Sequence, residues 1–140
     1  GFRTVVLDDR AELANAERLP QADEIIVGDI VEELARFHIN PQSHIVIVTR
    51  GHEHDRDALH QVVSSPAAYI GMIGSRRKVT VVFDELKKDG VAEEILAAVH
   101  APIGLDIHAE TPEEIALSIM AEMVMVRRGG QGGLMRLGEG

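Results

Sequence analysis

The sequence predicts an α/β fold in which a mainly parallel, doubly wound sheet is covered by helices on both faces. Three observations carry that expectation. Short apolar runs alternate along the chain with stretches of helical periodicity. The runs around Val5-Val6-Leu7, Ile25-Ile26-Val27, Ile45-Val46-Ile47-Val48 and Ile70-Gly71-Met72-Ile73 are continuous rather than alternating, as strands buried on both faces require. Polar or glycine-bearing residues follow each run, and ligands of such folds bind beyond the carboxyl ends of the strands.

In chain order, Thr4-Val5-Val6-Leu7 reads as a buried strand ending in Asp8 and Asp9, and Glu12 to Arg18 as a short helix before Pro20. Glu24-Ile25-Ile26-Val27 is a second strand. Asp29 with Glu32 three residues on forms a capping box, and its helix carries Val31, Leu34 and Ala35 until Asn40-Pro41 ends it. His44 to Thr49 is the clearest central strand, followed by a loop at Arg50-Gly51-His52 and a helix from Asp55 to Val63. Ala68 to Ile73 is the next strand. It turns at Gly74-Ser75 into a helix from Arg76 to Lys88, which Asp89-Gly90 closes. Val91 to Val99 reads as a further helix, and His100 to Ala109 as an irregular loop shaped by Pro102 and Gly104.

The last helix has the strongest start signal. Thr111 is the N-cap, Pro112 occupies the first helical position and Glu114 the third. Glu113 and Glu114 suit the positive end of the dipole, Arg127 and Arg128 the negative end, and Gly129-Gly130 stops the helix. Ile115 to Val126 is apolar almost all round, which predicts a largely buried helix. Residues 1–128 thus read as one domain and 129–140 as a flexible glycine-rich tail.

Composition narrows the function. Fourteen basic against 23 acidic residues give a net charge of −9, which argues against nucleic acid as a partner. Aromatics at 3% leave little for stacking bases. The absence of cysteine excludes disulfides, thiolate metal sites and a cysteine nucleophile in this chain. The most apolar stretch, Ile115 to Val126, is too short and, with Ser118 and Glu122, too polar to span a bilayer, so a soluble cytoplasmic protein is expected.

The candidate chemistry lies after the strands. Tyr69 to Lys78 runs from a strand through Gly71, Gly74 and Ser75 into a helix whose first turn is Arg76-Arg77-Lys78. The first N–H groups of a helix lack internal partners and sit at the positive end of its dipole, so a bound anion would offset the three cations crowded there. A solvated basic helix start is the alternative. Asp8 and Asp9 stand where an acid can accept from a ribose hydroxyl, or else cap a following helix. Thr49-Arg50-Gly51-His52 with Asp55 offers a phosphate-clamping guanidinium and an imidazole oriented by a carboxylate. A metal set of His52, His54 and Asp55 is weaker, because that spacing is not a specific signature, and a polar loop with Asp55 as a helix cap fits equally. His100 and Asp106 could face the same crevice, or could simply belong to a connection that positions the last helix. No Gly-x-Ser-x-Gly elbow, phosphate loop or Gly-x-Gly-x-x-Gly fingerprint is present.

Taken in order and spacing, Thr49-Arg50-Gly51-His52 with Asp55, Tyr69-Ile70-Gly71-Met72-Ile73-Gly74-Ser75-Arg76-Arg77-Lys78, and His100-Ala101-Pro102-Ile103-Gly104-Leu105-Asp106 with Glu110-Thr111-Pro112-Glu113-Glu114 resemble the C-terminal Rossmann-like domain of the XdhC/CoxI family over nearly the whole chain. The resemblance implies an accessory protein of xanthine dehydrogenase-type molybdenum hydroxylases. Such a protein binds molybdenum cofactor, supports its sulfuration with a cysteine desulfurase or other sulfurtransferase partner, and delivers it to the apo-enzyme without catalysis of its own. A nucleotide-binding domain, for NAD(P) or a nucleoside triphosphate and serving an oxidoreductase or NTPase, is the alternative. Relatives usually carry an N-terminal domain with a cysteine, and usually open the sheet with a strand and a glycine-rich turn; these 140 residues contain neither. The chain is therefore expected to be either an N-terminally truncated piece of a longer protein or a short free-standing homologue. A sheet without that first βα unit would leave unpaired backbone at its centre, so a neighbouring segment or chain, as in a homodimer, is expected to cover it. His108 stands where many relatives have glycine.

Overall fold

The computed structural model describes residues 1–137; the last three residues of the expected tail lie outside the described residues. β1 (Val5–Asp8) pairs in parallel with β2 (Glu24–Val27), Val5 opposite Glu24 and Asp8 opposite Val27. After α1 (Ile30–Arg36), β3 (His44–Ile47) and β4 (Tyr69–Met72) form a second parallel pair across α2 (His52–Val62). α3 (Arg76–Lys88), α4 (Glu93–Ala97) and α5 (Pro112–Arg128) complete the order. His100 extends the second pair through a bridge to Gly71, its N–H donating to Ile70 O at 2.9 Å and its carbonyl accepting from Met72 N at 3.0 Å.

The core belongs to the second half. Leu59 and Val62 of α2, Met72 of β4, and Val82 and Leu86 of α3 have no exposed surface, and Leu96 of α4 packs with them. Each such side chain contributes roughly 1.5–3 kcal/mol of transfer free energy. No residue of β1, β2 or α1 is fully buried. Among the described residues no ladder joins β1 to β3. Their flanks meet only through side chains: Arg50 reaches Asp9 at 2.8 Å beyond the carboxyl ends, and the Phe2 ring meets the His44 ring at 4.9 Å near the amino ends. The two strands therefore run the same way, without the backbone pairing of strands spaced ~4.8 Å apart.

Several elements differ from the sequence-based expectation, each for a local reason. The helix expected over Glu12 to Arg18 is a series of turns. Asn15 draws its backbone into them, donating to the carbonyls of Ala11 and Glu12 and accepting from Arg18 N, so its side chain competes with helical bonding. α2 begins at His52 rather than Asp55, with Gly51 at the N-cap and no side-chain cap, because the Asp55 carboxylate turns inward instead. β3 stops before Thr49, whose N–H goes to Asp55 Oδ1 at 3.1 Å. The helix expected over Val91 to Val99 shrinks to α4, since Val91 N is taken by Leu86 O as α3 closes.

The largest correction concerns α5. Its cap is as expected: Thr111 Oγ1 accepts from Glu114 N, and Glu114 returns the bond to the Thr111 backbone, at the end Pro112 opens. Gly129 closes it at φ +73°. Yet the helix is not largely buried: Ser118, Glu122 and Met123 point inward, while Leu117, Met120 and Val124 are exposed. A nearly uniform apolar helix has little preference for its rotation, so polar anchors set it. Ser118 Oγ donates to Leu105 O at 2.6 Å, and Glu122 Oε1 accepts from Tyr69 Oη at 2.6 Å and Gly104 N at 3.1 Å. Gly104 holds φ +100°, and an added Cβ would lie 2.4 Å from Ser118 Oγ, so this close approach needs glycine. His108 adopts φ +62°, the left-handed conformation that glycine takes at no steric cost.

Candidate functional site

The sites read from the sequence fall into two separate groups. The first lies beyond the carboxyl ends of the strands. Ser75 caps α3, its hydroxyl accepting from Lys78 N at 3.1 Å. Gly74 makes the turn before it at φ +147°. Arg76 and Arg77 are exposed, and their guanidinium groups have no hydrogen bond or ion pair among the described residues. The N–H groups of Arg76 and Arg77, in the first turn, have no partner within the helix. Beside them is a shallow hollow of about 280 Å³ lined by His52, Ser75, Arg77, Lys78 and Val81.

Lys78 has a different role from its two neighbours. Its ammonium turns inward to the carboxylate of Asp55, which has no exposed surface, and also approaches Ile73 O at 3.4 Å. Asp55 Oδ1 accepts from Thr49 Oγ1 at 2.5 Å and from Thr49 N at 3.1 Å. This buried network ties the end of β3 to the start of α3. It consumes one of the three expected anion-binding cations and leaves the two arginines. Thr49 likewise serves the network, its hydroxyl lying 3.3 Å from Gly51 O. Gly51 itself holds φ +137° with open space around it, so it is present for backbone conformation.

His52 and Arg50 also have protein partners. His52 Nε2 lies 2.8 Å from Glu85 Oε2, an oxygen that Arg56 approaches at 3.4 Å. Arg50 binds Asp9 at 2.8 Å. Asp8 is gripped by Arg10, whose Nε and Nη2 donate to its two oxygens at 3.0 and 3.1 Å, while Arg10 N donates to Oδ1 at 2.9 Å. That side-chain bonding, partly opposed by burial, holds the Asp8 carboxyl at about 2 against an ordinary 3.8. Asp8 and Asp9 are thus engaged at the rim of the crevice, and a ribose would have to displace an arginine to reach either.

The second group lies toward the amino end of β4. The His100 ring stacks on Tyr69 at 4.7 Å, and its Nδ1 lies 3.6 Å from Glu122 Oε2. Burial, then the bond to Glu122, pushes the Tyr69 phenol far above its ordinary range. His44 stacks on Tyr69 at 6.0 Å. His100 is therefore part of the anchor of α5 rather than of the crevice. Gly71 serves packing as well, since a Cβ there would lie 2.5 Å from Ile103 Cδ1. Asp106 is exposed, and its carboxylate has no bonded partner among the described residues. Glu85 and Glu122 were not expected from the sequence. Glu122 carried a signal, as an acid inside an otherwise apolar helix; Glu85 carried none, being one charge in an amphipathic helix.

Known proteins share this fold. Residues 1–123 match the family described as the XdhC Rossmann domain. The chain belongs to that family. It is 40% identical over 139 residues to the Escherichia coli K12 protein YqeB, covering 96% of this chain and 25% of that one. It is 29% identical over 128 residues to a probable xanthine dehydrogenase subunit from Bacillus subtilis 168, covering 91% of this chain and 37% of the other. A crystal structure of a xanthine dehydrogenase from Bacillus halodurans superposes with a TM-score of 0.80 at 33% identity, over 94% of this chain and 37% of that chain. The XdhC domain thus spans between a quarter and about two-fifths of these relatives. No helix among the described residues is long and apolar enough to cross a membrane.

Proposed function

We propose that this XdhC domain holds the phosphate end of molybdenum cofactor for a xanthine dehydrogenase-type molybdoenzyme, as part of an accessory protein that supports sulfuration and insertion of the cofactor. The observation that carries the reading is the start of α3. There the exposed Arg76 and Arg77, without a bonded side-chain partner among the described residues, open a Ser75-capped helix, and Arg77 lines the His52 hollow. Two guanidinium groups with no partner among the described residues, next to a helix N-terminus, suit a phosphate dianion in charge. The fit is to the phosphate end, and the chemistry of the metal belongs to the cofactor and the enzyme that receives it. The protein's share is to hold and present. The Lys78–Asp55–Thr49 network keeps the helix start fixed to the sheet, and His52 lines the hollow while anchored to Glu85. The family, together with the names of the Bacillus relatives, supports the link to xanthine dehydrogenase. A strand from a neighbouring segment or chain, laid between β1 and β3, would complete the floor of the crevice. A sulfurtransferase would deliver sulfur to the cofactor while this domain holds it.

The test is a binding titration with isolated molybdenum cofactor, NAD(P), ATP and inorganic phosphate, on the native chain and on Arg76→Ala/Arg77→Ala. Charge-assisted hydrogen bonds contribute about 1.5–3 kcal/mol each, so the double variant should bind the cofactor at least about a hundredfold more weakly. Binding of NAD(P) or ATP in preference to the cofactor would favour a nucleotide-binding domain. Cofactor binding that is absent, or unchanged in the variant, would overturn the reading.

A further inference from the structure

The inward rotation of Ser118 and Glu122 leaves α5 with an outward apolar seam. Leu117, Met120 and Val124 are 63%, 43% and 51% exposed. They follow one another at spacings of three and four residues, the repeat by which one helix packs along another. Glu113 and Arg128, at opposite ends of the helix, are both exposed and have no ion pair among the described residues.

We infer that this seam is the contact between two copies of the chain, with α5 packed antiparallel on α5 of the partner about a two-fold axis. The residues complement themselves in that arrangement. An axis passing beside Met120 and Ala121 sets Leu117 against Val124 and Met120 against Ala121, each contact occurring twice as an isologous interface requires. The small Ala121 side chain gives room for the longer Met120. The same register brings Glu113 opposite Arg128 at both ends. A parallel pair would instead oppose Glu113 to Glu113 and Arg128 to Arg128, which is repulsive at both ends. The helix supplies a seam of 17 residues, about 25 Å at 1.5 Å per residue. The apolar residues give the affinity and the end charges give the orientation. The start of α3 takes no part, so the inference does not rest on the proposed cofactor site.

Sedimentation velocity across a concentration series tests it on the full chain. The native protein should pass from monomer to dimer as concentration rises. Leu117→Asp, an exposed change that leaves the core intact, should raise the dimer dissociation constant about a hundredfold while far-UV circular dichroism stays native. Glu113→Arg should weaken the dimer, and Glu113→Arg with Arg128→Glu in the same chain should restore it, because the antiparallel pair then exchanges its charges. A native chain that stays monomeric at its solubility limit would overturn the proposal. So would a dimer insensitive to Leu117→Asp, or a charge swap that fails to rescue.

Discussion

Replacing Lys78 by Met should destabilise the domain far more than loss of a surface charge. Asp55 is fully buried, and Lys78 is its only cationic partner among the described residues. Removing one partner of a buried pair costs about 3–5 kcal/mol, since the remaining charge has neither water nor counterion. Two features favour the low end. Thr49 still donates twice to Asp55 Oδ1, and the Lys78 side chain is 25% exposed, so water can reach part of the vacated site. The expected loss is therefore about 3 kcal/mol, or a fall in Tm of roughly 10 °C for a domain of this size. Urea unfolding followed by circular dichroism would read it as a lower midpoint with an unchanged slope. Asp55→Asn/Lys78→Met removes both charges and keeps an acceptor for Thr49, so it should recover at least half of the loss. If Lys78→Met costs less than about 1 kcal/mol, the pair behaves like a solvated surface bridge and the reasoning fails. The outcome also bears on the site, because this pair is what holds the start of α3 against β3.

Two further outcomes follow from the other networks. The Asp8 carboxyl titrates at about 2 because Arg10 grips it, so its contribution to stability is complete above the ordinary value of 3.8 and fades as pH falls from there toward 2. Arg10→Ala should move the Asp8 titration, followed by NMR of its side-chain carbonyl, up toward 3.8; an unmoved titration would assign the depression elsewhere. Tyr69→Phe removes the 2.6 Å bond to buried Glu122 and should cost about 1–3 kcal/mol in thermal or urea unfolding, whereas a neutral effect would show that Gly104 and His100 satisfy that acid unaided.

Much of the architecture was determined locally and could be read from the sequence. The cap of α5 depends on Thr111, Pro112 and Glu114 within a single turn, and α3 begins and ends at the residues its Ser75 cap and Asp89-Gly90 signal indicate. The apolar runs mark all four strands among the described residues to within a residue or two. The helix start at Ser75-Arg76-Arg77 was visible for the same reason, since caps and charges act over neighbouring residues. The tertiary structure decided what depends on partners distant in the chain. Lys78 looked like one of three equal cations until folding brought it to Asp55. Arg50 and His52 looked like free ligands until Asp9 and Glu85 met them. His100 joined Tyr69 and Glu122 instead of the crevice. The rotation of α5 was likewise set from outside, because a helix apolar on nearly every side has no strong hydrophobic direction, and two hydrogen-bonded anchors from the loop before it and from β4 turned its seam of Leu117, Met120 and Val124 toward solvent.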